Sequence, residues 1–159
     1  MTLESVRSFF ATHAPEIEVL ETEASSATVV LAAQAHGVEP DQIAKTICLR
    51  AGETTLLLVT AGTRRLDNKK FRAHFSAKPR MLGGDDAVAA TGHPIGGVCP
   101  FGLASPLPVY CDISLKDHQE VLPAAGATNA AVRIHPQKMA ELVSAIWVDV
   151  CDRPQENDL

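Results

Sequence analysis

The sequence predicts an α+β fold: a mixed, largely antiparallel and partly barrel-like sheet of about six to seven strands, with helices packed around it. Strand-like and helix-like segments are interleaved without a regular βαβ repeat. Two strand segments are separated by only three turn residues, which is typical of a hairpin. In 159 residues, 46% are hydrophobic and 21% charged, which is enough for one core. We expect a single domain over residues 1–152 and a flexible tail over residues 153–159.

The first three elements are a helix, a short strand and a second helix. Apolar residues recur every three or four positions in Leu3 to His13, the spacing of an amphipathic helix. Residues 16–21 alternate between apolar and charged, as in a short strand. Ser26 can cap a helix over about residues 27–36, and Gly37 would end it in the left-handed conformation.

A hairpin and two short helices follow. Residues 43–50 and 54–61 are rich in β-branched and aliphatic side chains and flank a turn that contains Gly52. The first helix would begin after Asp67 or Asn68 as its N-cap and end near Phe75. The second would begin after Asp85 or Asp86 and end near Thr91.

The last part of the chain begins with a loop and returns to alternating elements. Residues 92–108 hold four glycines and four prolines, which neither a helix nor a central strand tolerates. We expect strands over 109–113, 131–134 and 146–151, with a turn region from Val121 to Gly126. Pro136 suits the first turn of a helix that runs to about Ala145.

Composition disfavours several classes of protein. A net charge of -5 argues against bulk binding of nucleic acid and against a DNA partner. Four dispersed cysteines without a Cys-x-x-Cys pair predict neither a disulfide framework nor a zinc site, and they favour a reducing cytoplasm. Neither a leader pattern nor an apolar run of about 18 residues is present, so we expect no membrane partner. Histidine spacing and the missing cofactor motifs predict neither metal nor cofactor.

Half of the fourteen Lys and Arg residues lie between positions 64 and 80. Two interpretations are open, a solvated helix face or a local basic patch on an acidic protein. The residues are Arg64, Arg65, Lys69, Lys70, Arg72, Lys78 and Arg80.

Two features could supply catalytic groups. Glycines in residues 91–102 can turn backbone N–H groups toward a ligand, and prolines can hold those donors in place, as an ester carbonyl or oxyanion requires. The same loop could instead only cover a sheet. Lys45 enters the first strong strand in an apolar context, where it is either exposed or points into a pocket as a cation.

Two further residues leave alternatives open. Asp112, on a predicted strand, can face solvent or close a polar network in the sheet. Cys99 with His93 could form a thiol nucleophile, but a buried inert cysteine fits the sequence as well.

Taken in order, several segments resemble the YbaK family of aminoacyl-tRNA deacylases and the editing domain inserted in bacterial prolyl-tRNA synthetases. The resemblance covers nearly the whole chain. It is carried by residues 43–47 after Gly37-Val38, residues 90–92 leading to 96–102, Tyr110-Cys111-Asp112, and Ala125-Gly126 before residues 131–134.

The resemblance implies a site for an aminoacyl ester. Lys45 would hold the terminal adenosine or the carbonyl, and the loop Gly96, Gly97, Val98, Cys99 and Pro100 would offer backbone donors. The nucleophile would be a water, a ribose hydroxyl of the tRNA or the substrate's own side chain. The residues expected to bind or shape the substrate pocket are Thr28, Val29, Asp112, Gly126, Asn129 and His135.

The implied activity is deacylation in trans of tRNA mischarged with a small amino acid, of the Ala, Ser or Cys type. Residues 127–130 depart from the basic stretch of the cysteine-specific members, so the amino acid stays open. The implied partner is a mischarged aminoacyl-tRNA. Because an acidic protein binds the body of a tRNA weakly, an aminoacyl-tRNA synthetase that delivers the tRNA is a possible second partner. The alternative is a non-catalytic module of the same fold that binds tRNA acceptor ends or a synthetase.

Overall fold

The computed structural model of the chain describes residues 2–152. The predicted tail, residues 153–159, lies outside the described residues. The helices are α1 (Thr2–His13), α2 (Val29–His36), α3 (Asn68–Phe75), α4 (Gly84–Thr91) and α5 (Pro136–Leu142). The strands are β1 (Val19–Glu21), β2 (Ile43–Ala51), β3 (Thr54–Ala61), β4 (Pro79–Met81), β5 (Val109–Asp112), β6 (Leu122–Pro123), β7 (Ala130–Val132) and β8 (Ile146–Val148). None of these helices is long and apolar enough to cross a membrane.

The main sheet has six strands and mixed directions, which confirms the predicted α+β fold. Its strand order is β4-β2-β3-β5-β8, and β6 also pairs with β2. The predicted hairpin forms an antiparallel ladder of eight residue pairs between β2 and β3. The β2–β6, β3–β5 and β5–β8 pairs are parallel. A small antiparallel sheet of β1 and β7 lies beside it.

Alternation along β2 assigns its side chains to two cores. Ala44 and Cys48 belong to the larger core, which also contains Val6 and Phe10 of α1. Leu49, on the opposite face, belongs to a second core around Phe71 of α3. Since successive strand residues point to opposite faces, Thr46 and residue 50 lie on the same face as Cys48.

Two of the predicted helix boundaries are confirmed by the backbone geometry. Gly37 ends α2 at φ 67°, and its N–H donates to the carbonyl of Ala33. Asp67 is the N-cap of α3, where its carboxylate accepts from the N–H groups of Lys69 and Lys70.

Two predicted N-caps are wrong. α2 begins at Val29, and its cap is Thr28 rather than Ser26, because the Ser26 hydroxyl donates to the Thr128 carbonyl. α4 begins at Gly84 after an extended Gly83 without a side-chain cap, so Asp85 and Asp86 lie inside its first turn. Carboxylates in a first turn still stabilise a helix through its dipole.

Several predicted boundaries are too wide, and two strands were not predicted. β4 and β6 hold only three and two residues, and each is defined by pairing with β2 rather than by its own composition. The predicted strand over 109–113 ends at Asp112, because Ile113 starts a 3-10 helix. Asp112 caps that helix by accepting from the Ser114 N–H.

Candidate active site

A cavity of about 430 Å³ lies along the edge of β2, between the strands β4 and β6 that flank this edge. This volume is in the range of small-molecule sites. Other walls come from the start of α2, from α4 and from the glycine-rich loop. The lining residues include Ser26, Ala27, Thr28, Val29, Ala32, Ala44, Lys45, Thr46, Cys48, Met81, Leu82, Gly84, Ile95, Gly96, Val98 and Ala124.

The open edge of β2 provides main-chain polar groups. On this edge β4 pairs with residues 49–51 and β6 with residues 43–44. The Cys48 carbonyl accepts from the Leu82 N–H at 3.2 Å, so it points outward. Alternate residues of a strand direct their N–H and C=O groups to the same edge, and Thr46 therefore presents both toward the gap.

The Thr46 side chain adds a hydroxyl to the same place. Its Oγ1 is buried and has no hydrogen-bond partner among the described residues. An unpaired buried hydroxyl costs about 1–3 kcal/mol, so a ligand that bonds to it gains an available partner. Sequence reasoning missed Thr46, because a threonine in a strand is ordinary and only the missing partner strand distinguishes it.

Lys45 lines the cavity, but its ammonium group is held at one side. Nζ donates to the carbonyl of Arg64 at 2.5 Å, and Arg64 is not a lining residue. Burial lowers the pKa of Lys45. The amine is therefore a partly desolvated cation, and its one acceptor among the described residues is the Arg64 carbonyl. An ammonium group can donate three hydrogen bonds.

The glycine-rich loop enters the cavity through a tight turn. The Gly97 N–H donates to the Pro94 carbonyl at 2.9 Å, and Gly96 has φ 84°. A positive φ at this position of a turn favours glycine. Within residues 2–152 the N–H groups of Gly96 and Val98 donate no internal hydrogen bond, and both residues line the cavity.

Close packing fixes the position of this loop. A Cβ on Gly97 would lie 2.7 Å from the Ala127 nitrogen, and the Gly97 carbonyl accepts from the Gly126 N–H at 3.0 Å. Phe101, at the end of the loop, packs against Phe10 of α1 with ring centroids 4.7 Å apart. The loop is thus held from two directions, and its role as a row of donors stays a prediction.

Three predicted residues of this region lie outside the lining: Gly97, Cys99 and Pro100. The Gly97 N–H already donates to the Pro94 carbonyl. Cys99 is fully buried with Sγ 3.6 Å from His93 Nε2, and burial raises the pKa of its thiol to about 12. A protonated thiol is a poor nucleophile. Pro100 is buried next to it and has no N–H to donate. The predicted catalytic roles of all three residues remain predictions.

Asp112 is buried outside the cavity lining as well. Its carboxylate accepts from the N–H groups of Ser114 at 2.9 Å and Val150 at 2.8 Å. The sequence leaves open whether Asp112 faces solvent or closes a polar network in the sheet, and in the structure it closes the network.

The remaining predicted pocket residues divide into two groups. Thr28 and Val29 line the cavity where α2 begins. Gly126, Asn129 and His135 do not: Gly126 packs on the Thr2 carbonyl, the Asn129 amide donates to the Thr22 carbonyl at 3.0 Å, and exposed His135 caps α5.

The described residues contain no group of three or more His, Cys, Asp or Glu side chains placed to hold a metal ion. The polar side chains in the cavity lining are instead the Lys45 ammonium, the Cys48 thiol and the hydroxyls of Ser26, Thr28 and Thr46. The Ser26 and Thr28 hydroxyls already have protein partners, whereas the Thr46 hydroxyl has none among the described residues. Such groups can donate hydrogen bonds to an ester carbonyl and can bind hydroxyl groups of a ligand.

Comparison with known proteins identifies relatives of this arrangement. Residues 23–142 match the model of the aminoacyl-tRNA editing domain family. The uncharacterized protein YwhH of Bacillus subtilis (strain 168) is 46% identical over 153 residues, covering 95% of this chain and 98% of YwhH.

Two further relatives have names that indicate a function. A proline–tRNA ligase of Solidesulfovibrio magneticus is 33% identical over 90 residues, which cover 55% of this chain and 15% of the ligase. A solved protein proposed as a trans-editing enzyme for prolyl tRNA synthetase is 31% identical, with a TM-score of 0.87 over 96% of this chain and 98% of its own. The family model spans most of the chain, and the chain therefore belongs to the aminoacyl-tRNA editing domain family.

Proposed function

We propose that this protein is a trans-acting hydrolase that deacylates tRNA mischarged with a small amino acid. The observation that carries the proposal is that Lys45, Thr46, Gly96 and Val98 line one cavity. Family membership and the likeness to a proposed trans-editing enzyme support the same reaction class.

In the proposed reaction the ester carbonyl lies between the loop and β2. The N–H groups of Gly96 and Val98 would stabilise the oxyanion that forms when the nucleophile attacks, and each such donor is worth about 3 kcal/mol. Lys45 would hold the carbonyl or the terminal adenosine. The nucleophile would be a water, a tRNA hydroxyl or the substrate's own side chain, because Cys99, the thiol suggested by the sequence, is buried and protonated.

The walls support selection for a small amino acid. Seven alanines line the cavity together with short polar side chains: Ala27, Ala32, Ala44, Ala87, Ala124, Ala130 and Ala131. Overlap with such walls can exclude a larger amino acid, whereas a difference of one methylene changes affinity by only about 1–3 kcal/mol. We therefore expect alanyl, seryl or cysteinyl esters as substrates, delivered free or by a synthetase.

The test is deacylation of a panel of tRNAs mischarged with Ala, Ser or Cys. We expect release from at least one of them, and a loss of about a hundredfold or more in Lys45→Met, which keeps the apolar stem but removes the cation. The matched control is Lys138→Met, an exposed lysine of α5 outside the cavity. Saturable tRNA binding without ester loss would instead support the non-catalytic module.

A further inference from the structure

Two arginines stand side by side next to the cavity. Arg50 of β2 and Arg80 of β4 are directly opposite each other in the antiparallel register, and both are exposed. Side chains in such a pair have Cβ atoms about 5 Å apart, and like charges there destabilise the sheet. Within residues 2–152 neither arginine forms an ion pair with a carboxylate. The pair is therefore a site of uncompensated positive charge.

The arginine pair lies on the face and edge of the sheet that also form the cavity. Arg50 follows Cys48 by two residues, and Arg80 precedes Leu82 by two. Cys48 and Leu82 are joined by a hydrogen bond and line the cavity. Residues two positions apart on a strand share a face and are about 7 Å apart. Arg50 and Arg80 therefore lie about 7 Å along the sheet from Cys48 and Leu82, on the same face. Burial raises the pKa of the Cys48 thiol, and the nearby Arg50 charge partly offsets this.

Charges are unevenly distributed around the mouth of the cavity, by which we mean its rim between β4 and the start of α4. Of the seven cations between positions 64 and 80, Arg64 and Lys70 are held in ion pairs with aspartates. Lys78, just before β4, is exposed and adds to the positive side. On the other side, Asp85 and Asp86 are exposed in the first turn of α4, beside the lining residue Gly84. A polyanion that leaves the cavity is thus attracted over β4 and repelled from α4.

We propose that Arg50 and Arg80 bind phosphate groups of the single-stranded 3′ end of the aminoacyl-tRNA, at the point where this strand leaves the cavity. The inference rests on the proposed function, which puts the terminal aminoacyl ester inside. The RNA strand must then pass the mouth, where the planar guanidinium groups can each bind a phosphate with two hydrogen bonds. Bound phosphate also relieves the repulsion between the arginines.

The experiment compares the double variant Arg50→Gln/Arg80→Gln with a matched control, Lys69→Gln/Arg72→Gln. The control removes the same charge from two exposed residues of α3, the helix packed on the opposite face of the sheet. Three probes are used: binding of a fluorescent uncharged tRNA minihelix over a salt series, deacylation of an alanylated minihelix, and deacylation of alanyl-adenosine, which has no phosphate.

We expect the Arg50/Arg80 variant to raise the KM for the alanylated minihelix at least about tenfold. The slope of log Kd against log salt should fall by about 1.4, the value for two contacts with a single strand. Turnover of alanyl-adenosine should stay at the wild-type level, and the Tm should not fall. The control variant should keep minihelix affinity close to wild type.

Equal losses in both double variants would overturn the proposal, since they would indicate diffuse electrostatics, and so would unchanged minihelix binding in the Arg50/Arg80 variant. The two hypotheses can fail separately. If the wild-type protein hydrolyses neither ester, the proposed function fails, while minihelix binding still decides whether the arginines contact RNA.

Discussion

At the scale of single residues, Thr46 shows how a polar side chain in a binding site differs from one in the protein core. Its hydroxyl is buried without a partner, whereas the Thr60 hydroxyl on the neighbouring strand donates to the Ala61 carbonyl. A folded chain keeps an unpaired hydroxyl at a cost in stability. Such a group is therefore a candidate for binding substrate, and its role can be separated from a structural one.

Replacing Thr46 with valine keeps the shape and removes the unpaired hydroxyl. We expect the free energy of unfolding to stay the same or rise by up to about 1 kcal/mol, and deacylation to fall about tenfold or more. Thr60→Val is the control, because it removes a paired hydroxyl and should destabilise. Urea unfolding and single-turnover deacylation measure the two effects. A marked loss of stability in Thr46→Val would argue for a structural role.

Lys45 allows a test through pH. Burial lowers its pKa below 10.5, so the folded chain loses this proton at a lower pH than the unfolded chain. Between the two pKa values the unfolded chain binds more protons, and stability rises with pH. The charged lysine therefore costs stability at neutral pH, and this cost is lost as pH approaches 10.5.

We expect the stability difference between Lys45→Met and wild type to change in the alkaline range, in favour of the wild type as pH rises. Deacylation by the wild type should decline there as well, since the cation disappears. Urea unfolding at a series of pH values gives the first quantity and initial rates give the second. A difference in stability that does not vary with pH would show that the amine is not desolvated.

At the scale of elements, the loop between α4 and β5 is positioned by glycines that have no space for a side chain. A Cβ on Gly97 would be 2.7 Å from the Ala127 nitrogen and 2.9 Å from the Gly126 carbonyl carbon. Backbone atoms cannot move aside as a flexible side chain can. The loop would therefore shift as a unit, and the donors of Gly96 and Val98 with it.

We expect Gly97→Ala to destabilise the protein by about 1–3 kcal/mol, as overpacking does, and to lower deacylation more than substrate binding. Gly83→Ala is the matched control, because nothing lies within 4 Å of its added methyl group and its φ is -64°. Thermal unfolding and the separate values of kcat and KM distinguish the effects. Similar behaviour of both variants would contradict a fixed loop.

Sequence patterns predict elements well where the chain itself carries the signal. The β2–β3 hairpin, Gly37 and Asp67 follow from local chemistry and were predicted. β4 and β6 were not, because they are defined by partners far away in sequence. The same limit applies to the site. Lys45 and Gly96 can be selected from the sequence. Thr46 stands out only because no described strand pairs with the open edge of β2 beside it, and Arg50 only because β4 places Arg80 opposite it.

At the scale of the whole molecule, the cavity lies where several distant segments meet. α2, the open edge of β2, β4 and the glycine-rich loop each contribute one wall. α1 connects the loop to the segment around Gly126, since Ser5 donates to the Gly102 carbonyl and Thr2 to the Gly126 carbonyl. The site therefore depends on the packing of the chain rather than on one motif.

The most direct test is a two-dimensional amide NMR titration with a non-hydrolysable amide analogue of alanyl-adenosine. If the cavity binds the aminoacyl end, the largest shifts should fall on the amides of Lys45, Thr46, Gly96 and Val98. Amides near His135 and along α5, outside the lining, should change less. Shifts that leave residues 45–46 and 96–98 unaffected at saturation would contradict the assignment of this cavity as the active site.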